Sequence, residues 1–100
     1  MSGAGSDPVV DERRARITET DLEIVDAVNR RLRLVADLHA HKRAHGHPLR
    51  DHDRERRLME RLDEANGGPI SRDGLHRLYA VLIEICTAEA ARLAEQPSSP

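Results

Sequence analysis

A chain of 100 residues makes one small domain, near the lower end of lengths that bury a self-sufficient core. With one Tyr, no Trp and no Phe among 38% hydrophobic residues, the interior has to be Leu, Ile, Val and Ala, which favours helix packing over a sheet sandwich and makes association a source of buried area. The formal net charge of -2, with both signs interspersed, leaves no basic face and no stacking aromatics for nucleic acid.

The single Cys, Cys86, rules out an internal disulfide and fits a reducing compartment. No apolar run approaches the roughly 18 residues needed to span a membrane, and the N-terminus lacks a basic-then-apolar leader pattern. A soluble, cytoplasmic protein is expected, with no membrane partner.

Residues 1–10 are small and polar, with Gly3, Gly5 and Pro8, and are read as a disordered tail. A long first helix follows, from about Asp11 to Ala44. Its stripe of Ile17, Ile24, Val28, Val35 and Leu38 recurs at three-, four- and seven-residue intervals. Arg13, Arg14 and Arg16 crowd its first turns, where the helix dipole disfavours cations slightly. Gly46 and Pro48 end it, because Gly accepts a left-handed terminus and Pro cannot continue the hydrogen-bond ladder.

Asp51 or Asp53 then caps a short second helix to about Ala65, with Leu58, Met59 and Leu62 inward. Asn66-Gly67-Gly68-Pro69 is the clearest break. Ser71 caps a third helix, whose apolar face is Leu75, Leu78, Leu82, Ile85 or Cys86, and Leu93, to about Ala94. Residues 96–100 form a second disordered tail, so 11–95 is the single ordered domain. The fold class is all-α, with long, short and medium helices. A first helix of that length spans about 50 Å, roughly twice the diameter of a compact domain of this size. It needs a second copy alongside it, so a homodimer is expected.

The chemistry of the chain lies in its cations. Arg31 and Lys42 share the apolar stripe, about 16 Å apart along the axis, and an unpaired buried cation costs several kcal/mol. The stripe offers only Asp21 in return. The surplus points to a bound anion, and the cluster Asp51-His52-Asp53-Arg54-Glu55 adds a third cation after the turn. Arg grips a carboxylate with two prongs, while Lys is a point donor for a single oxygen. The set Arg14, Arg31, Lys42 and Arg54 with Glu55 therefore reads as a clamp for a small polycarboxylate, against the plainer reading of salt-bridged residues at the edge of a core. Lys42 is the only Lys among 16 basic residues. Arg14 and Arg31 are too far apart, about 25 Å, to grip one small molecule from the same chain. An antiparallel partner would bring its own Arg14.

The order Arg14, Arg31, Lys42, then Pro48-Leu49-Arg50-Asp51-His52-Asp53-Arg54-Glu55, resembles the all-helical class of chorismate mutases over about Ala15 to Leu93. The resemblance implies an intertwined three-helix homodimer with two identical sites, a small dicarboxylate substrate, chorismate, and no cofactor or metal. It implies that Arg31 and the partner's Arg14 bind the two carboxylates with Arg54 assisting. Lys42 would donate to the ether oxygen, and Glu55 with the Asp51 backbone would accept from the ring hydroxyl. On the third helix the family's Ser and Gln fall on Cys86 and Ala90. Neither can donate the second bond to the ether oxygen, and loss of one such donor costs about 10² to 10³ in rate. Glu89, next to that position, is turned away by about 100°. Low intrinsic activity is therefore expected, with DAHP synthase, on which short members of the family dock, as an activating partner.

Other readings compete with this one. The scaffold suits a sister activity, isochorismate pyruvate lyase or aminodeoxychorismate mutase, and a non-catalytic helical dimer that regulates a partner belongs to another class altogether. The histidines His39, His41, His45 and His47, with His52 nearby, include an i, i+4 pair of a kind used for metals. The pair lacks an evident third ligand, so a solvated helix end is the expected reading and no metal is assigned.

Overall fold

The computed structural model describes residues 7–96, and their regular structure is entirely helical: α1 (Pro8–Ala44), α2 (His52–Ala65) and α3 (Arg72–Glu95). The long, short and medium order is the expected one. Two boundaries differ from expectation: α1 begins at Pro8 rather than Asp11, and α3 runs to Glu95 rather than Ala94. Asp7-Pro8 looks like a helix breaker but works here as a start signal. The Asp7 carboxylate accepts the Val9 N–H at 2.9 Å, and Pro suits the first helical position, where its missing N–H would have no partner anyway. Of the two expected tails, residues 1–6 and 97–100 lie outside the described residues.

The chain divides into two units, Met1–Arg31 and Leu32–Pro100. In the first, α1 buries almost nothing. Ile17 is 60% exposed and Ile24 53%, and Leu22 and Val25 are open as well. The stripe expected to form a core is thus uncovered within this unit.

The second unit begins with the end of α1, which closes as the sequence suggests. Gly46 takes φ +68°, a left-handed conformation that costs Gly nothing extra. The His47 N–H bonds back to the Lys42 carbonyl at 2.8 Å and the Gly46 N–H to the Arg43 carbonyl at 3.4 Å, the paired pattern that satisfies the last helical carbonyls. Of the two candidate caps for α2, Asp51 is the one used: its carboxylate accepts the Arg54 N–H at 3.0 Å. Asn66 ends α2 and shapes the break that follows, with its side chain accepting from the Gly68 N–H at 2.9 Å and donating to the Ile70 carbonyl at 3.0 Å. Ser71 caps α3, accepting from the Gly74 N–H at 3.0 Å.

One polar clamp joins α2 to α3. His76 Nε2 lies 2.8 Å from both oxygens of Asp63, and since a carboxylate can only accept, that nitrogen carries the proton. Arg72 Nε approaches the same carboxylate at 3.3 Å.

The buried face of α3 runs Leu75, Cys86 and Ala90, with Tyr79 and Leu82 half-buried between them. Of the alternatives Ile85 and Cys86, Cys86 is the inward one, and Leu78, Ile85 and Leu93 are exposed. Helical geometry explains the shift, because positions 75, 79, 82, 86 and 90 follow the 3.6-residue period more closely than a line drawn through the large side chains. Ala90 is buried, at 1% exposure. Ala90→Gln should therefore cost about 1 to 3 kcal/mol of stability through overpacking, seen as a lower denaturation midpoint in urea.

Candidate active site

Lys42 sits in the last turn of α1, half-buried, and the reversal at Gly46 brings the following loop back over it. Its Nζ donates to the Leu49 carbonyl at 3.2 Å. Around this contact opens a cavity of about 570 Å³ whose walls include Lys42, His47, Arg50, Asp51 and His52. A lysine fixed through one backbone carbonyl keeps two N–H donors for something else.

Asp51 and Glu55 are set by the start of α2. The Glu55 N–H bonds to the Asp51 carbonyl at 3.1 Å in the first turn, while the Asp51 carboxylate is occupied by capping. That bond from the Arg54 N–H holds the Asp51 carboxyl below its usual value. Glu55 is held from the loop: Arg50 Nε reaches one carboxylate oxygen at 2.7 Å and Nη2 the other at 2.8 Å. These two bonds, helped by the charge of Arg50, lower the Glu55 pKa against the opposing effect of burial. Arg54 itself is exposed. A second cavity of about 230 Å³ lies between α2 and α3, with Arg50, Glu55, Met59, His76, Ile83 and Glu84 among its walls. Arg50 borders both spaces.

Sequence reasoning singled out eight residues, and the structure brings four of them, Lys42, Asp51, Arg54 and Glu55, to the turn between α1 and α2. Cys86 and Ala90 are on the walls of neither cavity and lie in the core of α3. Arg14 is exposed and Arg31 half-buried on the N-terminal unit, about 25 Å apart along the helix. Glu89, the neighbour of the missing Gln position, is bound to Arg92 at 3.1 Å.

Three residues escaped the sequence reading: Arg50, Asp63 and His76. Arg50 was visible as part of the Arg50-Asp51 pair, and the signal that could have found it is an unpartnered cation just ahead of a helix that opens with an inward acid. The Asp63–His76 clamp carries no local signal, since it joins two helices. His39 is 7% exposed with its Nδ1 unpartnered among the described residues; burial, reinforced by Lys42 and Arg43, pushes its imidazole below the usual value. His41, His45 and His47 form a stack, with His41 and His45 ring centroids 4.2 Å apart and His47 6.5 Å from His41.

Comparison with protein families decides what this arrangement belongs to. A family model described as chorismate mutase type II matches residues 13–90, a span that includes all eight singled-out positions. The chain belongs to the type II chorismate mutase family. That family is all-helical, in agreement with α1 to α3, and chorismate mutases act on a small molecule. No curated protein matches the chain. Among the described residues, no helix is long and apolar enough to cross a membrane.

Proposed function

We propose that this member of the type II chorismate mutase family converts chorismate to prephenate. The observation that carries the reading is the turn itself: Lys42 and Asp51 line one cavity and Glu55 the neighbouring one, with Arg50 on the wall of both, and Asp51 and Glu55 are held within one helical turn of each other. Cation and acceptor together suit a molecule that has both an ether oxygen gaining negative charge and a ring hydroxyl.

The reaction is a pericyclic rearrangement: the ether C–O bond breaks as a C–C bond forms, with no proton transferred and no nucleophile. The protein has to hold a compact chair-like conformer and stabilise charge on the breaking oxygen. Lys42 donates to that oxygen. The chain's own Arg31 and the partner subunit's Arg14 bind the two carboxylates, with Arg54 assisting, and Glu55 and the Asp51 backbone receive the ring hydroxyl. Cys86 and Ala90 stand at the positions of the family's Ser and Gln. Both are in the core, where they contribute packing and no donor to the ether oxygen, so the intrinsic rate is low.

The exposure of Ile17 and Ile24, seven residues apart on one face of α1, supports a second copy covering the N-terminal part of that helix, since an apolar face left open marks an interaction surface. Product analysis tests the activity. Incubation of chorismate with the purified protein should yield prephenate by nuclear magnetic resonance. Pyruvate from isochorismate, without prephenate from chorismate, would replace this reading with the lyase.

A further inference from the structure

Arg50 is the one residue that borders both cavities and also binds a proposed substrate contact. It stands outside α2, one residue before the cap, so its side chain comes to Glu55 from the loop rather than along the helix surface. The match of guanidinium fork to carboxylate is two-pronged, at 2.7 and 2.8 Å, a geometry that fixes orientation as well as charge. A carboxylate has about four lone-pair directions and the fork uses two. The other two remain for a hydroxyl.

We propose that Arg50 is a positioning residue for this site: it presents Glu55 as a fixed, ionised acceptor for the ring hydroxyl of the substrate. The proposal rests on the chorismate mutase reading for the identity of the hydroxyl, and on the two bonds alone for the state of Glu55. The charged and titratable groups around Glu55 are Arg50 and Asp51 from the loop, His52 and Arg56 on α2, and His76 and Glu84 on α3. One of these, Asp51, is an acid that opposes its ionisation. Arg50 is the group bonded to both of its oxygens, which is why the pair responds together, with Glu55 lowered and Arg50 raised.

The test uses the full chain with Arg50→Gln, Arg50→Lys and Glu55→Gln. In the absence of substrate, a carbon-detected pH titration of the Glu55 carboxyl should move to higher pH in Arg50→Gln and only partly so in Arg50→Lys. In the wild-type background Arg50→Gln should raise KM for chorismate about 3- to 10-fold and change kcat less than about twofold, because the ring hydroxyl is bound alike in ground and transition states. Lys keeps the charge but not the fork, so KM should stay raised. In a Glu55→Gln background Arg50→Gln should add nothing further, as expected for residues that act as one unit. An unmoved Glu55 titration would overturn the proposal, as would additive effects on KM or full recovery of KM by Lys. Because the titration needs no substrate, an inactive wild type would refute the chorismate mutase reading and leave the pairing itself tested.

Discussion

Lys42→Ala should lose nearly all turnover, about 10² to 10³ in kcat. In the proposed mechanism negative charge grows on the ether oxygen, and with Ala90 in the Gln position Lys42 is left as the donor that meets it. A charge-assisted hydrogen bond is worth about 1.5 to 3 kcal/mol, more when the bond tightens as charge develops. The loss should fall on kcat and kcat/KM alike, because the interaction belongs to the transition state. The Nζ bond to the Leu49 carbonyl means that the loop could loosen as well, so circular dichroism and the urea midpoint should accompany the kinetics. A variant that is folded and retains more than about a tenth of the wild-type rate would show that another group meets the ether oxygen.

Two inactive proteins should recover activity on mixing. Arg14→Ala and Lys42→Ala dimers are each expected to be dead, since every site in them lacks one essential cation. If Arg14 serves the site of the opposite subunit, one site of the mixed dimer collects both lesions and the other keeps both residues. Random reassortment makes about half the dimers mixed, with one good site of two, so about a quarter of wild-type activity should return. Arg14 and Arg31 lie about 25 Å apart along one helix, a distance that no single small molecule bridges. Mixing under conditions that demonstrably exchange subunits, with no return of activity, would place Arg14 outside the shared site.

Much of the architecture could be read from local chemistry. Ser71, Asp51 and Gly46 punctuate the chain in ways that depend on near neighbours alone, and the structure uses all three at the predicted places. Pro8 was misread for the opposite reason: the same Asp-Pro pair serves a turn or a helix start, and only the bond from Val9 to Asp7 separates them. On α3 the large side chains Leu78 and Leu93 suggested a face that turns out to be exposed, whereas of the alternatives Ile85 and Cys86 the smaller is the buried one, together with Ala90. Hydrophobicity marks what prefers burial, whereas close helix approach selects what is small enough to allow it.

The candidate site shows the same division. Lys42, Asp51 and Glu55 could be placed by their order around one turn, because a helix end, a cap and a first helical turn have fixed geometry. Arg50 could not, since its direction depends on loop dihedrals that no periodicity sets. Asp63 and His76 meet across two helices, so the pair was not available to a reading built on spacing.

The most direct test is the ultraviolet absorbance of chorismate in the presence of the purified protein, followed alone and with added DAHP synthase. The proposed activity predicts a decay faster than the uncatalysed rearrangement, slow for the protein alone and quicker with the synthase, with prephenate formed in equal amount and Lys42→Ala close to background. A folded wild-type protein that leaves the uncatalysed rate unchanged in both conditions would contradict it.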